Sequence, residues 1–358
     1  MGTALTVIFY ALIMVLVFGV LIFIHEFGHF FTARRCGVAV KEFAIGMGPK
    51  IFSWKSKKYD TQYALRAFPI GGFVSMVGED EESDSEDAFC NKSVFKRMLI
   101  VVAGAVMNLL LGFLLMMAVV LMQGPIGSTV VAEFNENAIS NAQLQVGDEI
   151  ISVAGTKVHS GNEVIYEIMN KGYEPIDLVV KRNGEKVTLN NVVFSTVEED
   201  GVTFGYMDFK VLREARTFSN LMKQTFFRSV SSVKMVYDSL VGLVSGRFGV
   251  DAVSGPIGVT EVVGSAASEI FGEKEEVVLA IAKFLYIVSI LTINLGVMNL
   301  LPFPALDGGR FVMLAIEGIR RKPFNRNVEA YINFVGIIVL FAFMIFVSFK
   351  DVLKLIFR

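Results

Sequence analysis

Nothing constrains the fold of this chain more than four stretches without a charged side chain. Ala4 to Ile24 is 21 residues long, Leu99 to Met122 is 24, Phe284 to Leu306 is 23 and Tyr331 to Phe349 is 19. At about 1.5 Å of helix rise per residue, each can cross a bilayer core about 30 Å thick. Of the 358 residues, 53% are hydrophobic and only 19% charged, against roughly 25% charged in an ordinary soluble domain. The formal net charge of −2 excludes a generally basic nucleic-acid binder, and 32 phenylalanines exclude a low-complexity disordered chain. The expected fold is a polytopic α-helical membrane protein with four transmembrane helices.

Loop charge sets the expected orientation. Arg34, Arg35, Lys41, Lys50, Lys55, Lys57, Lys58, Arg66, Lys92, Lys96 and Arg97 lie between spans one and two, and Arg310, Arg320, Arg321, Lys322 and Arg326 lie between spans three and four. Basic loops stay cytoplasmic, which puts both termini and the Gln123 to Lys283 connection outside; Lys350, Lys354 and Arg358 run against this. The first stretch has no preceding Lys or Arg and no small-residue cleavage site, so it reads as a retained span. Cys36 and Cys90 fall in the first cytoplasmic loop and are expected to be reduced thiols. Glu79 to Asp87, in the same loop, reads as a solvated acidic tip.

The long connection divides by pattern. From Pro125 to Tyr206, short β-type runs alternate with turn signals such as Val146-Gly147-Asp148 and Asn183-Gly184, with one helix-like stretch near Asn162 to Asn170. From Val211 to Ser245 the pattern becomes that of a basic amphipathic helix, which fits either a membrane surface or the face of the preceding domain. Four divisions follow: an N-terminal membrane half over 1–124, a small α+β domain over 125–208, a helical segment over 209–276 and a C-terminal membrane half over 277–358.

Two of the three histidines stand four apart in His25-Glu26-Phe27-Gly28-His29, at the inner end of span one. On a helix, residues i and i+4 share a face, so both imidazoles can hold one ion with Glu26 beside them. Ionisable groups kept beside an apolar span are costly and usually functional. A catalytic zinc site takes three protein ligands and leaves a position for water. Span three ends on the same side of the membrane as this motif, and Asp307 follows it directly. It closes the run Asn299-Leu300-Leu301-Pro302-Phe303-Pro304-Ala305-Leu306-Asp307-Gly308-Gly309. Two prolines and two glycines there indicate an interrupted helix end lining a cavity.

With these motifs in this order around an inserted β-rich domain, the chain resembles the site-2 proteases, and among them the bacterial regulator-of-sigma-E protease branch with a single PDZ domain. The resemblance implies an intramembrane zinc metalloprotease with His25, His29 and Asp307 as zinc ligands and Glu26 as general base. It further implies that Asn299 contacts substrate backbone and that Phe68 to Met76, with Gly71, Gly72 and Phe73, forms a membrane-associated β-hairpin that binds unwound substrate by strand addition. The Ala103-Gly-Ala-Val-Met-Asn108 run resembles a further family motif, in which Asn108 lies on the substrate side; the family usually has proline where Ala105 stands. Residues 145–155 resemble part of a PDZ domain, either binding an extended peptide end or excluding untrimmed substrates by bulk. The partners implied are single-span membrane proteins, a peptide or protein ligand of the PDZ-like domain and the lipid of a bacterial plasma membrane, with no nucleic acid. Two other readings are a non-catalytic membrane adaptor and a metal transporter. The presence of all four site residues opposes the first. The second would need polar groups through the membrane depth, where spans two and four offer little beyond Asn108 and Asn333.

Overall fold

The computed structural model describes residues 3–79, 81–124, 126–199, 201–249, 253–270 and 277–356. Asp80 of the acidic tip, Pro125 at the expected domain start, residues 250–252 and 271–276 of the expected helical segment, and Arg358 lie outside the described residues. The chain forms two compact units, Met1–Leu114 with Ser254–Arg358, and Leu115–Val253. Among the described residues, four helices are long and apolar enough to cross a membrane: Leu5–Arg35, Val94–Met122, Val277–Asn299 and Arg326–Lys354.

Helix α1 (Thr3–Arg35) continues well past Ile24, so the His25 to His29 motif lies within an unbroken helix. Strands β1 (Val40–Lys55) and β2 (Gln62–Met76) follow and pair antiparallel. Both are bent: Phe43 is paired with Val74 and with Tyr63, and Ala44 with Phe73 and with Ala64, so the first half of β1 lies between the two halves of β2. The Phe68 to Met76 segment supplies the edge half of β2, which pairs with Val40–Met47 rather than with the other half of β2. The chain reverses ahead of this half: the Phe43–Tyr63 to Ile45–Leu65 pairs run in step along β1, whereas Phe43–Val74 to Ile45–Gly72 run counter to it. Gly71, at φ +82°, lies in that reversal, between the Met47 to Phe68 and Ile45 to Gly72 pairs. Another reversal lies between β1 and β2, where Ser56 N donates to Thr61 O and Asp60 takes φ +57°. Helix α2 (Val94–Met122) follows, and its residues up to Leu114 belong to the first unit.

The second unit is built on β3 (Ile126–Phe134), β4 (Glu149–Val153), β5 (Thr156–Lys157), α3 (Gly161–Lys171), β6 (Ile176–Arg182), β7 (Glu185–Val192), β8 (Ser195–Glu199), β9 (Val202–Tyr206) and β10 (Phe209–Glu214). The main sheet has the order β10-β3-β4-β6-β7, with β5 on β4. Its core gathers Val131, Leu144, Ile150, Ile168, Leu178 and Phe209. Asn183 and Gly184, both at positive φ, make the tight turn between β6 and β7. Ser160 caps α3, accepting from Glu163 N.

One boundary is corrected. The helical segment was expected from Val211, with the domain ending at 208, yet Phe209–Glu214 is a strand paired with β3. Phe209 is buried and Val211 packs against the core, the period-two alternation of a strand. Helix α4 (Phe218–Val244) begins only after Thr217 caps it. It packs against α3: Tyr166 donates to Asp238 at 2.7 Å, and Phe227 stacks on His159 with ring centroids 4.0 Å apart. The domain-face alternative holds for that side, while Phe226, Val230, Tyr237 and Val241 remain exposed.

Helices α5 (Pro256–Ile270), α6 (Val277–Asn299), α7 (Asp307–Arg320) and α8 (Arg326–Ile356) return to the first unit. The apolar run expected to reach Leu306 stops being helical at Asn299, because Pro302 and Pro304 cannot continue the backbone hydrogen bonding. Two fully buried hydroxyls of α6 bond across to α2, Ser289 to Gly112 O at 2.8 Å and Thr292 to Asn108 O at 3.1 Å. The carboxylate of Asp351, on α8, accepts from Gly258 N in the first turn of α5. Cys36 and Cys90 are free thiols.

Candidate metal centre

The i,i+4 spacing on α1 sets the His25 and His29 rings 4.8 Å apart, nearly perpendicular. Two glycines make room for them. A Cβ on Gly28 would lie 2.4 Å from Ala103 O, so α1 and α2 touch there backbone to backbone. A Cβ on Gly104 would lie 2.3 Å from His29 Nε2 and 2.8 Å from His25 Nε2, so the imidazoles occupy the space a side chain on α2 would fill.

Asp307 arrives from the interrupted helix. After α6 the chain turns through Leu300–Leu306, with Ala305 at φ +72°, and restarts as α7 at Asp307. Gly308 and Gly309 allow this restart to fold back on the loop: a Cβ on either would come within 2.3 Å of a carbonyl oxygen, of Leu300 and Leu301 or of Phe303. From α8, Asn333 accepts a hydrogen bond from Ala305 N, and Gly336 makes room for Pro304. Arg310, one turn after Asp307, pairs with Glu79, whose other oxygen accepts from Met76 N at the end of β2. Arg97 of α2 forms a double hydrogen bond with Glu317 of α7.

These elements bring three ligand atoms together. His25 Nε2 and His29 Nε2 are 3.2 Å apart, and Asp307 Oδ2 is 3.3 Å from the first and 3.4 Å from the second. A tetrahedral ion with bonds of about 2.0–2.1 Å spaces its ligands about 3.3 Å apart, so the triangle matches one face of a zinc coordination shell. Asp307 Oδ2 is buried without a hydrogen-bond partner, a costly state that a cation would relieve. Among the described residues this is the one cluster of three or more His, Cys, Asp or Glu side chains that could hold a metal ion. The two-histidine, one-carboxylate set is that of zinc hydrolases, and among the described residues no fourth ligand joins it.

Residues 13–343 match the profile of peptidase family M50. The chain belongs to that family. A protein of Clostridium acetobutylicum bearing a zinc-metalloprotease name is 36% identical over 351 residues, covering 96% of this chain and 97% of that one. The regulator of sigma-W protease RasP of Bacillus subtilis is 28% identical over 427 residues, at 95% and 97% coverage. The zinc metalloprotease RasP of Shouchella clausii is 29% identical over 426 residues, also at 95% and 97%.

The other expected site residues fall into two groups. Gly72 lies against α1: its missing Cβ would meet Glu26 Cγ at 3.0 Å, Ala44 O at 3.1 Å and Ile22 Cγ2 at 3.3 Å. The edge half of β2 therefore runs directly beside Glu26. Gly71 leaves room for Met47, and Phe73 is paired with Ala44 and stacked under the Arg66 guanidinium. Asn299 is the half-buried last residue of α6. Asn108 departs from expectation. It is fully buried, and its amide lies 3.3 Å from His25 Nδ1, behind a ligand rather than facing open space.

Sequence reasoning missed the backing that α2 provides. Ile100 O accepts from His29 Nδ1 at 2.8 Å, Gly104 admits both rings, and Asn108 reaches His25. These residues are four apart on α2, as the histidines are on α1. The matching spacing of Gly104-x-x-x-Asn108 and His25-x-x-x-His29 was the available signal.

Proposed function

We propose that this family M50 peptidase is an intramembrane zinc metalloprotease that hydrolyses a peptide bond in or beside the transmembrane segment of single-span membrane proteins. His25, His29 and Asp307 hold the zinc, and Glu26 is the general base. The observation that carries this reading is the triangle of ligand atoms, 3.2 to 3.4 Å on a side, built on a helix able to cross a membrane. Bound zinc supplies an activated water and an electrophile for the scissile carbonyl. The Glu26 carboxylate takes the proton from the attacking water and delivers it to the departing amine.

Substrate must be unwound before it can be cut, and unwinding in lipid leaves backbone groups without partners. The edge of β2 at Gly72 and Phe73 offers replacements by strand addition, and its contact with Glu26 supports a scissile bond delivered there. Asn299, the last residue of α6, contacts the substrate backbone. The Leu115–Val253 unit acts as a PDZ-like substrate-selecting module on the extracytoplasmic side of a bacterial plasma membrane, with the zinc site facing the cytoplasm. One relative's name, regulator of sigma-W protease, favours a regulatory substrate such as an anti-sigma factor; a remnant signal peptide has the same single-span chemistry.

The test is Glu26→Gln in the purified full chain. Zinc content stays stoichiometric, and cleavage of a model transmembrane peptide falls by about 100-fold or more. Full cleavage by this variant would refute the base assignment.

A further inference from the structure

Resting on the zinc reading above, we propose that Asn108 is a positioning residue for the metal centre. Its side-chain oxygen accepts the Nδ1–H of His25 and so fixes the tautomer that presents Nε2 to zinc. This removes Asn108 from the substrate-binding residues and gives it a role in the affinity of the metal site.

His29 shows what the site requires. Its Nε2 lies in the ligand triangle and its Nδ1 meets Ile100 O at 2.8 Å. A carbonyl oxygen can only accept, so Nδ1 carries the proton and Nε2 keeps its lone pair for the ion. His25 has its Nε2 in the same triangle, so its Nδ1 must also carry the proton and needs an acceptor. Among the described residues, the side chain hydrogen-bonded to that nitrogen is Asn108, 3.3 Å away and 0% exposed.

An amide can turn either end toward the ring. With Nδ2 toward His25, as placed here, Nδ1 must accept, the proton moves to Nε2 and the metal-binding lone pair is lost. That arrangement also leaves Asn108 Oδ1 buried with no partner. Rotating the amide by half a turn puts Oδ1 on Nδ1–H, which removes the orphaned oxygen and restores the lone pair on Nε2 together. The two ends are nearly the same size, so hydrogen bonding decides between them. The rest of the residue is anchored, because Thr292 Oγ1 donates to the Asn108 backbone carbonyl at 3.1 Å.

The two histidines are thus oriented by the same helix in different ways. The acceptor for His29 is a backbone carbonyl that no substitution removes, whereas the acceptor for His25 is a side chain and can be tested. In the purified full chain, Asn108→Leu keeps the volume and removes the acceptor; Asn108→Asp keeps an oxygen acceptor and removes the donor. Zinc affinity is measured by chelator competition, with thermal unfolding of the zinc-free protein as the control for folding. Asn108→Leu weakens zinc binding by about 10- to 100-fold, the usual consequence of losing such a partner, with the zinc-free unfolding midpoint unchanged. Asn108→Asp binds zinc more tightly than Asn108→Leu. Only three histidines are present, so nitrogen-labelled histidine NMR of the zinc-loaded wild type reads the tautomer directly and needs neither variant. A protonated Nδ1 on His25 is expected, and an unprotonated one overturns the proposal. Wild-type zinc affinity in Asn108→Leu, or affinity in Asn108→Asp no better than in Asn108→Leu, also overturns it. Wild-type zinc affinity in His25→Ala would instead remove the ligand assignment on which the proposal rests.

Discussion

Gly104→Ala adds a single methyl group to α2, and the geometry makes it a severe change. The new carbon would lie 2.3 Å from His29 Nε2 and 2.8 Å from His25 Nε2, whereas non-bonded heavy atoms settle near about 3.5 Å. Something must retreat by about 1 Å. Helix α2 has little room to do so, because the Gly28 position already meets Ala103 O on one side and Gly296 meets Ala105 O on the other. The imidazoles must move instead, and each is held at Nδ1 by the same helix, by Ile100 O or Asn108. Zinc ligands tolerate displacements of only about 0.2 Å. Zinc affinity should therefore fall by at least about 10- to 100-fold. Cleavage should fall by about 100-fold, the cost of a 1 Å misplacement, which corresponds to about 2.7 kcal/mol of activation free energy. The fold should survive, since alanine favours a helix by about 1 kcal/mol over glycine and offsets part of an overpacking cost of about 1–3 kcal/mol. Metal analysis and chelator competition read the first effect, and cleavage of a transmembrane peptide in micelles reads the second. A Gly104→Ala protein with stoichiometric, tightly held zinc and wild-type cleavage would refute the placement of α2 against the ligands.

Gly72→Pro and Gly72→Ala together test the strand edge. Both crowd Glu26, but only proline removes the backbone N–H, so at equal zinc content proline should cut more slowly than alanine by about tenfold, the worth of one backbone hydrogen bond. Equal rates would remove strand addition at this residue. In the second unit, burial tends to raise the Asp148 carboxyl, but hydrogen bonds from the Arg182 guanidinium and the Gln145 amide hold it below the ordinary carboxylate range. A depressed folded-state value means that the Asp148 contribution to stability is full above the unfolded value of about 3.9 and is lost as pH falls through the folded one. Hydrogen exchange of β4 amides in the full chain should show protection falling on acidification in the wild type, and a smaller fall in Asp148→Asn. Identical acid profiles would show that the Arg182 pair does not govern this unit.

The parts of the fold that could be read from sequence were those set by composition and short spacing. An uncharged run of about 20 residues has few alternatives to a spanning helix, and the four spans were found although their ends shifted. The ends shifted where a local rule acts: α1 runs on through polar residues because nothing breaks the helix before Arg35, and α6 stops early because of Pro302 and Pro304. The paired histidines were legible because i,i+4 spacing is a property of one helix. Asp307 was reached through membrane parity and motif resemblance, since its approach to α1 depends on the loop and on close backbone contacts at Gly308 and Gly309. The glycines of the Phe68 to Met76 segment serve two ends: Gly71, at φ +82°, lies where β2 turns back, and Gly72 lets the strand approach α1. Strand β10 was misread because, with Leu212 and Phe218 counted in, a short alternating run looked like the start of a helix.

In a span, a polar group without a partner is expensive, so the pattern of satisfied and unsatisfied groups shows where the membrane half concentrates its chemistry. Ser289 and Thr292 are spent on carbonyls of α2, His29 Nδ1 on Ile100 O, and Asn333 on the backbone of the Pro-rich loop. Each of these bonds fixes the position of one helix relative to another. What remains unpaired around the site is Asp307 Oδ2 and Asn108 Oδ1, together with the two Nε2 lone pairs that face each other. One divalent cation accounts for the aspartate oxygen and both nitrogens, and the tautomer it demands of His25 accounts for the asparagine oxygen. A purely structural anchor would have no reason to gather this set of groups at the meeting point of α1, α2 and α7. A conduit would distribute them along the membrane depth. Their concentration at one point, beside a strand edge touching Glu26, fits a centre built to bind one ion and act on one extended backbone.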